Sequence, residues 1–505
     1  MKNNPREKYD LLTGRLEEIS RLGGVMSTLH WDQEVMMPPG AAAARANQMA
    51  AMAGVLHEKS TDPALGDLLN AVGLADEMQF NPYEWRNIHE GRRDYDLATR
   101  VPKSLVQEMA ELGSRGHFIW AEARKSNRFE DFAPVMARFV ELKTEWARAV
   151  YPDLAPYDAN IDLFERGVTM AELSPLFENL KAELIPLVQA IRAKEPPHTG
   201  CLQGHFPVAK QEALGRRISQ DMGFSFDMGR MDISVHPFCG GSHPTDVRIT
   251  TRYRTDNFIE SLYAVIHETG HGLYEQGRMP EGRDLPVSET LSMGIHESQS
   301  LFWERMIAQG RAFLSHYLPL FTETFPGNFA GVNADRLYAA VNACQPGLIR
   351  VEADEVHYPL HVILRYEIER GLFDGSIAVG DLPAVWNEKM RDYLGLVPPT
   401  DTLGVLQDVH WSGGSFGYFP SYTLGALYAC QFYRALAMAR PKLEHEIERG
   451  EFTGAREWLG ENIHRRGRLL SAADLTRQVT GEPLNPAHFI AYLKEKYGRI
   501  YHLKH

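Results

Sequence analysis

The chain has 505 residues, of which 44% are hydrophobic, and a formal net charge of −13 at pH 7. That is ample apolar material for a large core. The acidity argues against nucleic acid as a partner and is explained by solubility. Cys201, Cys239, Cys344 and Cys430 are scattered without a CxxC pair, which fits reduced intracellular thiols rather than a disulfide framework. The opening MKNNPREKYDLLTGRLEEISR is charged and lacks the apolar stretch of a secretory signal. No run of about eighteen apolar residues follows, so no transmembrane helix is expected. These features predict a cytoplasmic protein that neither crosses nor binds a membrane.

In chain order, Tyr9, Leu12, Leu16, Ile19 and Leu22 recur at helical spacing, predicting an amphipathic helix closed by Gly23 and Gly24. MMPPGAAAARANQMAAMAGVLHEK restarts helix after a Pro-Pro-Gly break, in an Ala-rich stretch of high propensity. Residues 103–150 and 170–193 keep the helical rhythm. Residues 231–255, MDISVHPFCGGSHPTDVRITTRYRT, interrupt it. Gly240, Gly241 and Pro244 are turn material, and DVRITTRY alternates with β-branched residues as a strand does. A small sheet is therefore expected just before the next helix. Toward the C-terminus, GGSFGYFPSYTLGALY reads as a Gly- and aromatic-rich loop running into helix. No internal repeat, low-complexity linker or domain boundary stands out. Residues 1–505 are read as one mostly α domain.

The helix expected over Asn257–Gln276 carries VIHETGH. Asp256 or Asn257 can cap its start and Gly277 can end it. His267 and His271 then lie one turn apart on one face, where both imidazoles can reach a single ion. Glu268 projects beside that ion, placed to hold a water. A catalytic zinc needs a third ligand and an open position. The residue six positions after the second His is Gly277, which excludes the three-histidine arrangement. SETLSMGIHESQSLFWERM offers a carboxylate instead. Read as a helix capped by Ser288, it puts Glu297 in mid-helix. The competing Glu289 falls in the first turn, where the helix dipole explains an acid. Glu297 is the expected third ligand. Such a site acidifies water and polarises a carbonyl, and Glu268 can pass the proton to a leaving amine, which is amide hydrolysis. An oxyanion donor is sought in QDVHWSGGSFGYFPSY, with His410, Tyr418 and Tyr422 as candidates.

Several separated blocks now occur in one order: HWDQEVMMPPG with Arg45 and Gln48, HPF at 236–238, DVRIT at 246–250, HETGH at 267–271, HESQ at 296–299, IRVEAD at 349–354 and GVLQDVHW at 404–411. Together they resemble the Taq-type metallocarboxypeptidases, the thermostable carboxypeptidase family of zinc peptidases. The resemblance implies an elongated, mostly helical fold with a deep central groove. It casts the N-terminal helices, about residues 1–100, as a lid. It implies one metal ion per chain, usually a homodimer, and release of C-terminal residues from peptides with broad specificity. Carried onto this chain, it makes His267, His271 and Glu297 metal ligands and Glu268 the general base and acid. Arg350 becomes the clamp for the substrate's free carboxylate.

Arginine suits that role because it binds carboxylates bidentately and keeps its charge. Residue type alone would instead pair Arg350 with Glu352 or Asp354. Arg248 is a second clamp candidate, on a strand that could pair with an extended substrate. The resemblance supports His236, His410 and Tyr418 as lining the site. Tyr418 is the first choice for the oxyanion and Tyr422 the second. Two imidazoles and a carboxylate favour Zn2+, with Co2+ or Mn2+ as substitutes. A helical zinc oligopeptide endopeptidase, or an inactive peptide-binding relative, are the alternatives.

Overall fold

The computed structural model describes residues 4–74 and 79–503. It is mostly helical, with one small sheet. α1 (Pro5–Val35) starts at Asn4, whose side chain accepts the Arg6 N–H, with Pro5 where a missing donor costs nothing. Its buried stripe is Tyr9, Leu12, Leu16 and Trp31. The expected stop at Gly23 and Gly24 does not occur; the helix runs through both. Gly24 serves packing instead, because a Cβ there would stand 2.7 Å from the Ser242 carbonyl oxygen. A helix can approach a strand that closely only without a side chain.

α2 (Ala42–Ser60), α3 (Pro63–Gly73) and α4 (Pro82–Thr99) fold back around α1. Tyr9, Leu12, Leu16, Leu65, Leu69 and Ile88 form a hydrophobic cluster separate from the main core, which also takes in Leu285 and Val287. Residues 103–150 are helical as expected, in two helices, α5 (Lys103–Ser126) and α6 (Phe129–Val150). Asn127 breaks them at φ 58°, a left-handed conformation asparagine tolerates. α7 (Pro156–Asp162), α8 (Met170–Arg192) and α9 (Val208–Met222) follow, α8 opening with a Thr169–Glu172 capping box.

β1 (Gly229–Ile233), β2 (Cys239–His243) and β3 (Asp246–Thr251) make a sheet of order β1-β3-β2. β3 is the centre, parallel to β1 and antiparallel to β2. The DVRIT strand therefore has both sides occupied and cannot add a substrate strand, contrary to the sequence expectation. Its C-terminal half is buried on both faces. Val247, Ile249 and Thr251 are buried, and Ile249 meets the motif helix at Gly272. On its other face, Arg248 lies 5.7 Å from the Trp31 ring of α1.

α10 (Phe258–Gln276) is capped by Asn257, which accepts the Glu260 N–H. Such a cap contributes about 1 kcal/mol. α11 (Met293–Leu301) begins four residues later than expected. Ser292 is its cap, while Ser288 ends a short 3-10 turn and Glu289 is extended, accepting a hydrogen bond from Arg278. The dipole explanation for Glu289 therefore does not apply. A π-helical turn, Phe302–Ala308, continues α11. The chain closes with α12 (Arg311–Thr324), α13 (Pro326–Phe329), α14 (Ala334–Val341), α15 (Tyr358–Asp374), α16 (Leu382–Leu394), α17 (Phe419–Ala439), α18 (Leu443–Glu448), α19 (Thr453–Asn462), α20 (Ala472–Thr480) and α21 (Pro486–Ile500). α11 packs against both α10 and α17. Among the described residues, no helix is long and apolar enough to cross a membrane.

Candidate active site

Two helices meet at one point. α10 presents His267 and His271, and α11 presents Glu297. His267 Nε2 and His271 Nε2 lie 3.5 Å and 3.4 Å from the same oxygen, Glu297 Oε2. Ligands bonded at about 2.1 Å in a tetrahedron stand about 3.4 Å apart, so this spacing fits one shared ion. Two glycines permit the approach. A Cβ on Gly270 would sit 2.6 Å from the Gln299 carbonyl oxygen, and one on Gly425 of α17 would sit 2.5 Å from Glu297 Cγ.

Hydrogen bonds behind the trio fix its tautomers. His267 Nδ1 is 2.7 Å from Glu304 Oε2, and an ionised carboxylate only accepts, so Nδ1 carries the proton. His271 Nδ1 is 2.6 Å from His296 Nδ1, and His296 Nε2 is 2.9 Å from Glu275 Oε1. Protons run consistently along that chain when His296 donates to Glu275 and His271 donates to His296. In that arrangement the Nε2 atoms of His267 and His271 are the ones that face Glu297. Those two nitrogens and the Glu297 carboxylate converge on one point, which is a metal site's donor set. Glu304 sits in the π-helical turn, a distortion common at functional sites. Neither Glu304 nor the Glu275–His296 relay was singled out from sequence.

Glu268 follows His267 on α10 and is only 6% exposed. Burial pushes its carboxyl up to about 7, with the Glu297 charge adding and His267 opposing. It is a carboxyl poised near neutrality beside the trio.

Arg350 is buried in a 3-10 turn and does not pair with Glu352 or Asp354. Asp354 instead staples the ends of its loop, accepting from the Gln345, Val356 and His357 backbone N–H groups. The partner of Arg350 is Asp408, 3.0 Å from Nε, and Nη1 donates to Tyr358 Oη at 2.7 Å. The Tyr422 ring lies 4.7 Å from its guanidinium carbon. Burial alone would raise Asp408, but Arg365 and Arg350 hold its carboxyl well below the usual range. Arg305, also buried, lies 5.3 Å from the Tyr358 ring centroid, and its Nη1 has no protein partner.

His410 Nε2 lies 3.2 Å from Tyr422 Oη, and burial pushes this histidine down to about 4, so it is neutral at neutral pH. The rings of Tyr418 and Tyr422 meet edge to face at 5.2 Å. Burial raises the Tyr418 hydroxyl to about 12, and the Glu297 charge adds to the shift, placing this loop beside the trio. Glu369 anchors the loop from below. It accepts from Trp411 Nε1 at 2.7 Å and from the Gly417 N–H at 2.8 Å. Two other candidates lie on or beside the sheet. Arg248 is held by Asp246 at 2.8 Å and lies against the Trp31 ring. The His236 side chain is exposed on the β1–β2 loop.

A cavity of about 580 Å³ opens between α1, α4, β2 and the C-terminal end of α10, and reaches His296 and Glu275.

The model of the carboxypeptidase Taq (M32) metallopeptidases matches residues 11–497. Thermostable carboxypeptidase 1 of Thermus thermophilus is 38% identical over 509 residues, covering 98% of this chain and 99% of that protein. Carboxypeptidase 1 of Bacillus subtilis is 36% identical over 502 residues, covering 98% of each. The crystal structure of the M32 carboxypeptidase from Deinococcus radiodurans R1 superposes with a TM-score of 0.96 at 37% identity, over 98% of this chain and 100% of that one. A convergent ligand trio alone would leave the reaction open, but agreement over nearly the whole length, in sequence and in fold, closes it: the chain belongs to the carboxypeptidase Taq (M32) family and is a metal-dependent carboxypeptidase.

Proposed function

We propose that His267, His271 and Glu297 hold a single Zn2+, replaceable by Co2+ or Mn2+, and that Glu268 is the general base and acid. The bound ion supplies Lewis acidity, acidifying a water and polarising the scissile carbonyl. Glu268 takes the proton of the attacking water on its buried carboxylate and returns it to the leaving amine. Tyr418 donates to the developing oxyanion, because the Tyr422 hydroxyl is engaged with His410. His410, being neutral, orients Tyr422 without adding charge.

Arg350 receives the substrate's terminal carboxylate. Asp408 takes the Nε side of the guanidinium and Tyr358 takes one Nη1 hydrogen, which leaves N–H groups on both terminal nitrogens. An internal peptide bond offers no carboxylate there, so cutting is confined to the C-terminal end, with broad tolerance for the residue released. The observation that carries this reading is a buried arginine in the same aromatic wall as tyrosines that feel the Glu297 charge.

Mass spectrometry of one peptide, as free acid and as amide, with and without chelator, tests it. The free acid should lose residues stepwise from its C-terminus, the amide should persist, and chelation should stop the reaction. Internal cuts, or intact cleavage of the free acid by Arg350→Ala, would support the endopeptidase instead. Metal uptake without cleavage would favour the binding protein.

We further propose a homodimer in the cytoplasm, checked by sedimentation and by fractionation of the native cells. The four free thiols agree with that compartment. Within a single domain, the N-terminal helices act as a cover over the groove. Their separate hydrophobic cluster and the seat of Gly24 on β2 favour that reading.

A further inference from the structure

Asp408 is shared. Its Oδ1 lies 2.9 Å from Arg350 Nη2, and its Oδ2 lies 2.5 Å from Arg365 Nη2. Gln407 ties the same two residues, accepting from the Arg350 backbone N–H at 2.9 Å and from Arg365 Nη2 at 2.8 Å. Arg365 is fully buried, with its guanidinium carbon 4.5 Å from the Trp386 ring and Nη1 donating to the His361 carbonyl at 2.6 Å. It lies behind Asp408 and cannot touch a substrate.

The charges decide what this does. Arg350 and Asp408 alone would be a neutral buried pair, and Asp408 would repel an incoming carboxylate. With Arg365, two cations share one anion and a net positive charge remains. In a poorly solvated site an unbalanced full charge attracts a carboxylate far more strongly than a neutral pair does.

We propose that Arg365 is a positioning residue of the carboxylate site: by occupying the second oxygen of Asp408, it fixes the Arg350 guanidinium and leaves it a full positive charge for the substrate's terminal carboxylate. This rests on the reading of Arg350 as the clamp.

The test is steady-state kinetics of the full-length, metal-loaded enzyme on a free-acid peptide. Arg365→Met, whose side chain suits the apolar surroundings of Trp386, should raise KM about tenfold or more and leave kcat nearly unchanged. Adding Asp408→Asn to Arg365→Met should bring KM back toward the parent value, because Arg350 regains an uncompensated charge. A purely structural role would not be rescued by a second substitution. An unchanged KM in Arg365→Met, or a double variant no better than the single, would overturn the proposal. If Arg365→Met does not fold, Arg365→Lys and Arg365→Gln carry the same contrast. Lysine should keep KM near the parent value and glutamine should raise it, and equal values would sink the idea. Arg350→Ala separates the two readings. If it leaves KM unchanged, the clamp itself fails. If it raises KM while Arg365→Met does not, only the role of Arg365 fails.

Discussion

His267, Glu268 and His271 do different work though they share one turn and a half of helix. Glu268→Gln keeps the shape and removes the proposed base, so kcat should fall by about 10²–10⁴-fold. Metal content by elemental analysis should stay at the parent level, and equal loss of metal would mean that Glu268 is a ligand instead. Glu304 and His296 hydrogen-bond the two histidines proposed as ligands. Glu304→Gln or His296→Ala should weaken metal binding by about 10–100-fold, measured by competition with a chromogenic chelator. Arg350 shows how far residue type can mislead. Glu352 and Asp354 are near in sequence, yet the ion pair goes to Asp408, 58 positions away.

At the scale of elements, the site depends on helices that approach more closely than most side chains allow. Gly270 and Gly425 are the spacers on either side of α11. Gly425→Ala would press on Glu297 and move it away from the histidines. We expect a folded protein, destabilised by about 1–3 kcal/mol, with reduced metal affinity. Thermal melting and metal titration check it, and unaltered metal affinity would show that Glu297 has room to shift. Glu304 reaches His267 from the π-helical turn after α11, an irregularity that helical periodicity does not specify. Gly23 and Gly24 carry a related lesson, since paired glycines read as a helix end when neighbouring structure is unknown, but one of them is a contact surface.

For the whole molecule, buried carboxyls make stability depend on pH. Burial pushes both Glu165 and Glu369 up to about 7, against the lowering by hydrogen-bond donors around them. A carboxyl raised in the folded state holds its proton more tightly there. Its contribution is therefore present in acid and lost as pH climbs from about 4.5 to about 7, by roughly 3 kcal/mol for each group. His410 and His464, pushed down by burial to about 4 and about 3, oppose this below the ordinary histidine range. The clean measurement is the difference between parent and Glu165→Gln across that window. Relative to the variant, the parent should lose stability as pH rises, and parallel melting profiles would show that Glu165 does not titrate there. Metal removal should lower Tm, because the ion binds the folded trio and not the unfolded chain, and added Zn2+ should restore it.

The sequence by itself determined the helical class, the small sheet ahead of the motif helix, the one-turn spacing of His267 and His271, and the downstream Glu297. These are local facts: helical periodicity places residues on a face, and a short motif fixes its own geometry. The ordered blocks also carried the family, hence the reaction. Tertiary structure alone decided the rest. It set Arg248 on the sheet's central strand and paired it with Asp246. It supplied Glu304, Asp408 and Arg365, whose partners lie 37 to 58 positions away. Charge balance and tautomers are set by neighbours in space, and a chain read along its length does not reveal which of its many acids and arginines will be those neighbours.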